Sequence, residues 1–188
     1  MFDIVFPRGN ERDFIEMAVC LGFSGLIFVY NDKSAFFADK SPIKIVNALL
    51  VPPNKIEKAH SAGALAFCDG DARTAIERGA DVVFGMESSE DRDKTHYRRS
   101  GLNQVLCRIA SENKVAIGFS FNAVLSASNV ERVKLMGRMM QNILLCKKFK
   151  TSVRIGSFAK DPFGMRSPGD LSAFFQQLGL IDAKSAMH

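Results

Sequence analysis

Short apolar runs alternate with amphipathic stretches along this 188-residue chain. The runs at 2–6, 25–30, 45–51, 64–68, 81–86, 115–121 and 152–158 are mostly β-branched or aromatic, and continuous rather than alternating. Such runs mark strands covered on both faces. Helical patterns lie between them. Residues 11–21 place Phe14, Ala18 and Leu21 on one face, and 54–62 follow Pro52-Pro53 with Asn54 positioned as a cap. Residues 71–78 begin on a capping residue, Asp71, and stop at Gly79. A helix over 101–113 carries Leu102, Val105, Leu106 and Ile109 at i, i+3, i+4 and i+7. A longer helix over 129–149 opens with the capping box Ser128-Asn129-Val130-Glu131 and turns Val130, Val133, Met136, Met140 and Ile143 toward the core. The last helix begins Ser167-Pro168-Gly169-Asp170. Strands alternating with helices predict a parallel sheet with helices outside, either open and doubly wound or closed as a barrel. The chain is short for a full eightfold barrel, which takes about 250 residues.

Length fits one domain, expected to span 1–188. No apolar run reaches the roughly 18 residues of a membrane span. The opening Met1-Phe2-Asp3-Ile4-Val5-Phe6 has no basic leader, so the expected compartment is the cytoplasm and no membrane partner is expected. Cys20, Cys68, Cys107 and Cys146 lie far apart in apolar stretches, as buried thiols of a reducing compartment do.

Charge divides the chain. Residues 1–94 hold 11 Lys and Arg against 15 Asp and Glu, and residues 95–188 hold 14 against 5, so the net +5 sums −4 and +9. A polyanion-binding second half follows from this asymmetry. Arg98-Arg99 and Arg166 stand before helix N-termini, where the helix dipole disfavours cations and phosphate is favoured. Arg132, Lys134 and Arg138 lie away from the Val133–Met136–Met140 face, and Lys147, Lys148 and Lys150 close the long helix, where cations suit the dipole. The segment 88–100 reads as a charged surface loop, and 31–42 carries Phe36-Phe37, either an interface anchor or a loop folded onto its own core.

Catalytic patterns are weak. His60, His96 and His188 are unpaired at ligand spacing, and no GxSxG elbow or glycine-rich phosphate loop occurs. Ser157 stands alone at a strand end. Asp69, Asp71 and Glu87 at strand ends have the chemistry for a hard cation, although Asp71 is placed to cap.

Several segments occur in an order that resembles a known family. They are Asp71-Ala72-Arg73 with Gly79-Ala80-Asp81-Val82-Val83, then Arg99-Ser100-Gly101-Leu102-Asn103. After these come Ala110-Ser111-Glu112-Asn113-Lys114-Val115-Ala116-Ile117, the helix with Arg132 and Asn142, and Arg166-Ser167-Pro168-Gly169-Asp170-Leu171. Together they resemble ribonuclease P protein component 3, over about 60–180 in sequence and over 1–59 in strand-helix rhythm only. The resemblance implies a TIM-like (β/α) barrel of seven or more parallel strands with outer helices. That barrel is related to the polymerase-and-histidinol-phosphatase type without its metal site, and Asp3-Ile4-Val5-Phe6 indeed lacks the DxHxH ligands.

The implied role is a noncatalytic subunit of ribonuclease P, an endoribonuclease that removes the 5′ leader of precursor tRNA, with the chemistry in its RNA. The implied partners are the ribonuclease P RNA, a smaller α/β subunit (component 2) and, indirectly, precursor tRNA. No cofactor or metal is expected on this chain, and Mg²⁺ is expected with the RNA. Motif position and charge select Arg73, Arg98, Arg99, Arg132, Arg138 and Arg166 for RNA contact. Ser157-Phe158-Ala159 stands where the family often has Ser-Asp-Ala, and loop 31–42 has no counterpart. The alternative is a metal-dependent phosphoesterase on the same barrel.

Overall fold

The computed structural model describes residues 1–88 and 100–187. Among them are seven strands: β1 (Phe2–Val5), β2 (Gly25–Tyr30), β3 (Lys44–Leu50), β4 (Leu65–Asp69), β5 (Val82–Phe84), β6 (Ala116–Ser120) and β7 (Val153–Gly156). All pair in parallel, and their order in the sheet is their order in the chain. The helices are α1 (Glu11–Leu21), α2 (Ile56–Ser61), α3 (Ala72–Glu77), α4 (Gln104–Glu112), α5 (Phe121–Ser126), α6 (Asn129–Phe149) and α7 (Pro168–Gln177).

The sheet curls until its edges meet. Phe158 N–H donates to Ile4 O at 2.7 Å, and Phe6 N–H donates to Ala159 O at 2.8 Å. Asp3 fastens this seam from within the protein. Its carboxylate accepts from the N–H and the Oγ of Ser157, both at 2.6 Å, and from Ile4 N–H at 2.9 Å. Asp3 is fully buried, and that desolvation outweighs the three donors and raises its carboxyl to about 6. The lone Ser157 of the sequence is thus half of a strand-to-strand latch.

Alternate residues of each strand face opposite ways, and two apolar layers result. Ile4, Val29, Ala48, Phe67, Val82, Phe84, Ala116 and Phe158 fill the barrel. Val5, Leu26, Phe28, Ala66, Val83, Ile117 and Ile155 pack outward against the helices. Gly118 of β6 makes room for the interior rings. A Cβ there would sit 2.9 Å from Phe84 Cβ and from Val82 Cγ1, and 3.3 Å from Phe158 Cζ. Gly118→Ala is therefore expected to destabilise the fold by about 1–3 kcal/mol through overpacking, read as a lower denaturation midpoint.

Several helix boundaries obey their capping residues. Asp71, Asn103 and Ser167 accept from the backbone N–H of Thr74, Leu106 and Asp170. Ser128 and Glu131 form the capping box of α6. Other expectations are corrected. Asn54 is no cap: the two prolines lead into a 3-10 turn, Pro53–Lys55, and α2 starts at Ile56. The strand expected over 115–121 stops at Ser120, which caps α5. Cys20 is exposed, while Cys68, Cys107 and Cys146 are buried. The core face of α6 is Leu135, Arg138, Met139, Asn142, Ile143 and Cys146. Val130, Val133 and Met140 are exposed, as are Leu144 and Val105 of α4.

Candidate RNA-facing surface and the barrel mouth

In barrels of this kind, chemistry belongs at the mouth formed by the C-terminal ends of the strands. Here phenylalanines occupy it. Phe84 and Phe158 lie 5.1 Å apart between ring centroids, and Phe6 lies 6.0 Å from Phe84 and 6.1 Å from Phe158. Phe67 continues the stack below, 6.4 Å from Phe84. Phe158 holds a left-handed φ of 52°, a strained backbone, and its ring packs against Phe6 and Phe84. Above the rings opens a cavity of about 650 Å³ with Asp69, Glu87, Ser120, Asn122 and Lys160 on its walls.

Glu87 is 1% exposed, and its Oε2 makes no hydrogen bond. Burial pushes its carboxyl up to about 7, and the neighbouring Asp69 adds to the rise. Burial also raises Asp69, opposed by the Gly70 N–H and by Lys160. Among the described residues no three His, Cys, Asp or Glu side chains converge as a metal site. Asp71 caps α3, and His60 Nε2 lies 2.8 Å from Asp81 on the outer face.

The arginines selected from the sequence separate by environment. Arg98 and Arg99 lie outside the described residues. Arg73 is exposed and paired with Glu77 at 2.9 Å, one turn along α3. Arg132 reaches back to the end of α5 and donates to the carbonyls of Val124, Leu125 and Ala127 at 3.0, 3.3 and 2.9 Å. It thereby serves carbonyls that a helix end leaves without partners. Arg166 donates to Phe163 O and Met165 O and lies 5.8 Å from the Phe121 ring centroid. Arg138 requires a correction. It is 2% exposed, and its Nη1 donates to Glu87 O at 2.8 Å, tying α6 to the turn after β5. A guanidinium held this way is withdrawn from the RNA-facing set.

The residues carrying the family resemblance brace the same region. Buried Asn142 donates to Ser100 O at 2.8 Å, and Asn113 donates to Ile76 O at 2.9 Å, joining the end of α4 to α3. Phe36 and Phe37 fold onto their own core: Asn47 holds both backbone groups of Phe37, and the two rings pack on Tyr30 and Phe28.

One cationic group escaped the sequence reading. Arg108 of α4 stacks on Phe149 at 5.5 Å, beside Lys148 at 5.6 Å from the same ring. With Lys147 and Lys150 it forms an exposed cationic edge where α4 and α6 end. The i, i+3 periodicity shows only which face of α4 holds Arg108. The packing of α4 against α6, which no local pattern encodes, brings it to the lysines.

A family model described as RNase P subunit p30 matches residues 93–188. Ribonuclease P protein component 3 of Methanococcus maripaludis is 40% identical over 183 residues, covering 87% of this chain and 77% of that protein. The protein of the same name from Methanosarcina acetivorans is 37% identical over 83 residues, 44% of this chain and 35% of its own length. A chain in the cryo-EM structure of archaeal ribonuclease P with mature tRNA superposes with a TM-score of 0.78 at 23% identity, covering all of this chain and 87% of that one. Histidinol phosphate phosphatase from Lactococcus lactis, complexed with zinc, L-histidinol and phosphate, shares the barrel at a TM-score of 0.61 and 8% identity, over 97% of this chain and 93% of that one. Sequence and fold agree: this chain belongs to the ribonuclease P protein component 3 family.

Proposed function

We propose that this chain works as a noncatalytic protein subunit of ribonuclease P, supporting RNA-catalysed removal of the 5′ leader from precursor tRNA. Family membership carries this reading. The phenylalanines that fill the barrel mouth favour it over the metal-dependent phosphoesterase. The chemistry and its Mg²⁺ belong to the RNA, precursor tRNA is met through that RNA, and the compartment is the cytoplasm. No described helix is long and apolar enough to cross a membrane.

The cationic edge of Arg108, Lys147, Lys148 and Lys150 is the surface this reading adds for phosphate, beside Arg73, Arg98, Arg99, Arg132 and Arg166. Arginine stacked on an aromatic ring is held ready for such contact. Lys147, Lys148 and Lys150 changed together to Ala are expected to lower the slope of log affinity against log salt by about 1–2. Filter binding over a salt series measures this, and an unchanged slope removes the three lysines from the surface.

Component 2 is the proposed protein partner. Val130, Val133, Met140 and Leu144 recur along one exposed side of α6. Val133, 74% exposed, lies on the side of α6 away from the barrel. The deciding experiment is reconstitution: the chain is added to the catalytic RNA with and without component 2, and leader removal is followed. The reading expects faster cleavage with this chain, a further gain with component 2, and loss of that further gain in Val133→Asp. Metal-dependent phosphoester hydrolysis by the chain alone would overturn it.

A further inference from the structure

The barrel mouth has the parts of a nucleotide pocket, and we propose that it takes a single unstacked nucleotide, with guanine the preferred base. Three observations carry this. The first is the floor. Phe6, partly buried, is the ring that faces the cavity, and the buried Phe84 and Phe158, within 5.1–6.1 Å of it and of each other, back it from below. An aromatic floor binds any base through its face. The second is Glu87, which lines the cavity, is 99% buried by surface area, and leaves Oε2 without a hydrogen-bond partner. A buried carboxyl oxygen in this condition is costly unless a ligand supplies the donor. Burial favours the protonated carboxyl, and guanine releases that proton to solvent: the ionised group accepts from the adjacent N1–H and N2–H donors on the edge of guanine. Uracil offers one such donor. The third is the rim. Asn122 supplies an amide, and Lys160 is an exposed cation on the same wall. Together they give a base seat with a phosphate anchor above it.

The cavity of about 650 Å³ lies within the ordinary range for small-molecule sites. Its position at the C-terminal ends of the strands is where barrels of this class place their ligands. The phenylalanines of the mouth thus supply the surface on which a base stacks.

The proposal depends on the RNA-facing reading only for the source of the nucleotide. Binding is measured on the full chain alone, so its failure is separate from a failure of reconstitution. Guanosine 5′-monophosphate, its adenine, cytosine and uracil counterparts, guanosine and inorganic phosphate are titrated while the ring protons of Phe6, Phe84 and Phe158 are followed by NMR. Guanosine monophosphate is expected to shift those rings saturably and to bind about tenfold more tightly than the uracil nucleotide. Glu87→Gln is expected to remove that preference, and Lys160→Ala to bring guanosine monophosphate down to the affinity of guanosine. If Glu87→Gln fails to fold, the base preference of the unaltered chain and the uniform weakening in Phe6→Leu decide the matter. A single-stranded RNA with one guanine gives the second arm: tighter binding than the free nucleotide assigns the pocket to RNA, and equal binding assigns it to a free nucleotide. No shift of the three rings up to about 10 mM ligand overturns the proposal, as does full reproduction of the shifts by inorganic phosphate.

Discussion

Asp3→Asn is expected to remove roughly half of the acid-to-neutral loss of stability of this protein. The folded carboxyl of Asp3 sits at about 6, against 3.8 for the free side chain. The fold therefore prefers the protonated form. Its advantage is fully present below about pH 4 and is lost as pH rises through about 6. For a group buried this completely the difference is worth about 3 kcal/mol. Asparagine keeps the acceptor for Ser157 N–H and carries no charge into the interior. Its stability should fall about half as far as the parent's over the same pH range. Glu87 behaves with the same sign over a higher window, from 4.5 to about 7, so Glu87→Gln should remove a further, comparable part of the slope and leave the contribution of Asp69, which burial also raises. Asp3→Ala leaves the Ser157 and Ile4 donors without their acceptor and should cost about 3 kcal/mol at pH 5. Urea denaturation from pH 4 to pH 8 tests all three variants. Parallel curves for the parent and Asp3→Asn would show that the carboxyl stays ionised in the fold.

Arg138→Ala is expected to lower stability by about 3–5 kcal/mol while leaving the salt slope of RNA binding unchanged. The substitution empties a large buried volume and strips Glu87 O of its donor. It also frees α6 from the turn that carries Glu87, so the Glu87 amide should exchange faster with solvent. The denaturation midpoint and a filter-binding salt series together separate a brace from a phosphate contact. An unchanged midpoint with a reduced slope would return Arg138 to the RNA-facing set.

The strands were readable because each is short, apolar throughout and bounded by turn residues, and caps such as Asp71 and Ser128 announce themselves locally. Helix α5 was hidden because Ala116–Ser120 runs into Phe121 with no break in apolarity, and only the Ser120 hydroxyl turns the chain. Helix α6 was misread for a related reason. It is apolar on two sides, so periodicity finds a stripe without saying which stripe meets the barrel. The polar residues Arg138 and Asn142 decide it, since both are buried to hold loop carbonyls. The candidate site follows the same division. Its phenylalanine floor draws on Phe6, Phe84 and Phe158, which are far apart in sequence and meet only when the sheet closes.

The seam between β1 and β7 also sets an order of events. Asp3 and Ser157 are 154 residues apart, so β1 has no second neighbour until β7 has been made. At ordinary translation rates that interval is roughly 8–30 s. For that time the nascent sheet keeps an open edge, able to pair with other chains. Ring closure during synthesis therefore waits for β7. Weakening the latch should speed unfolding far more than it slows folding.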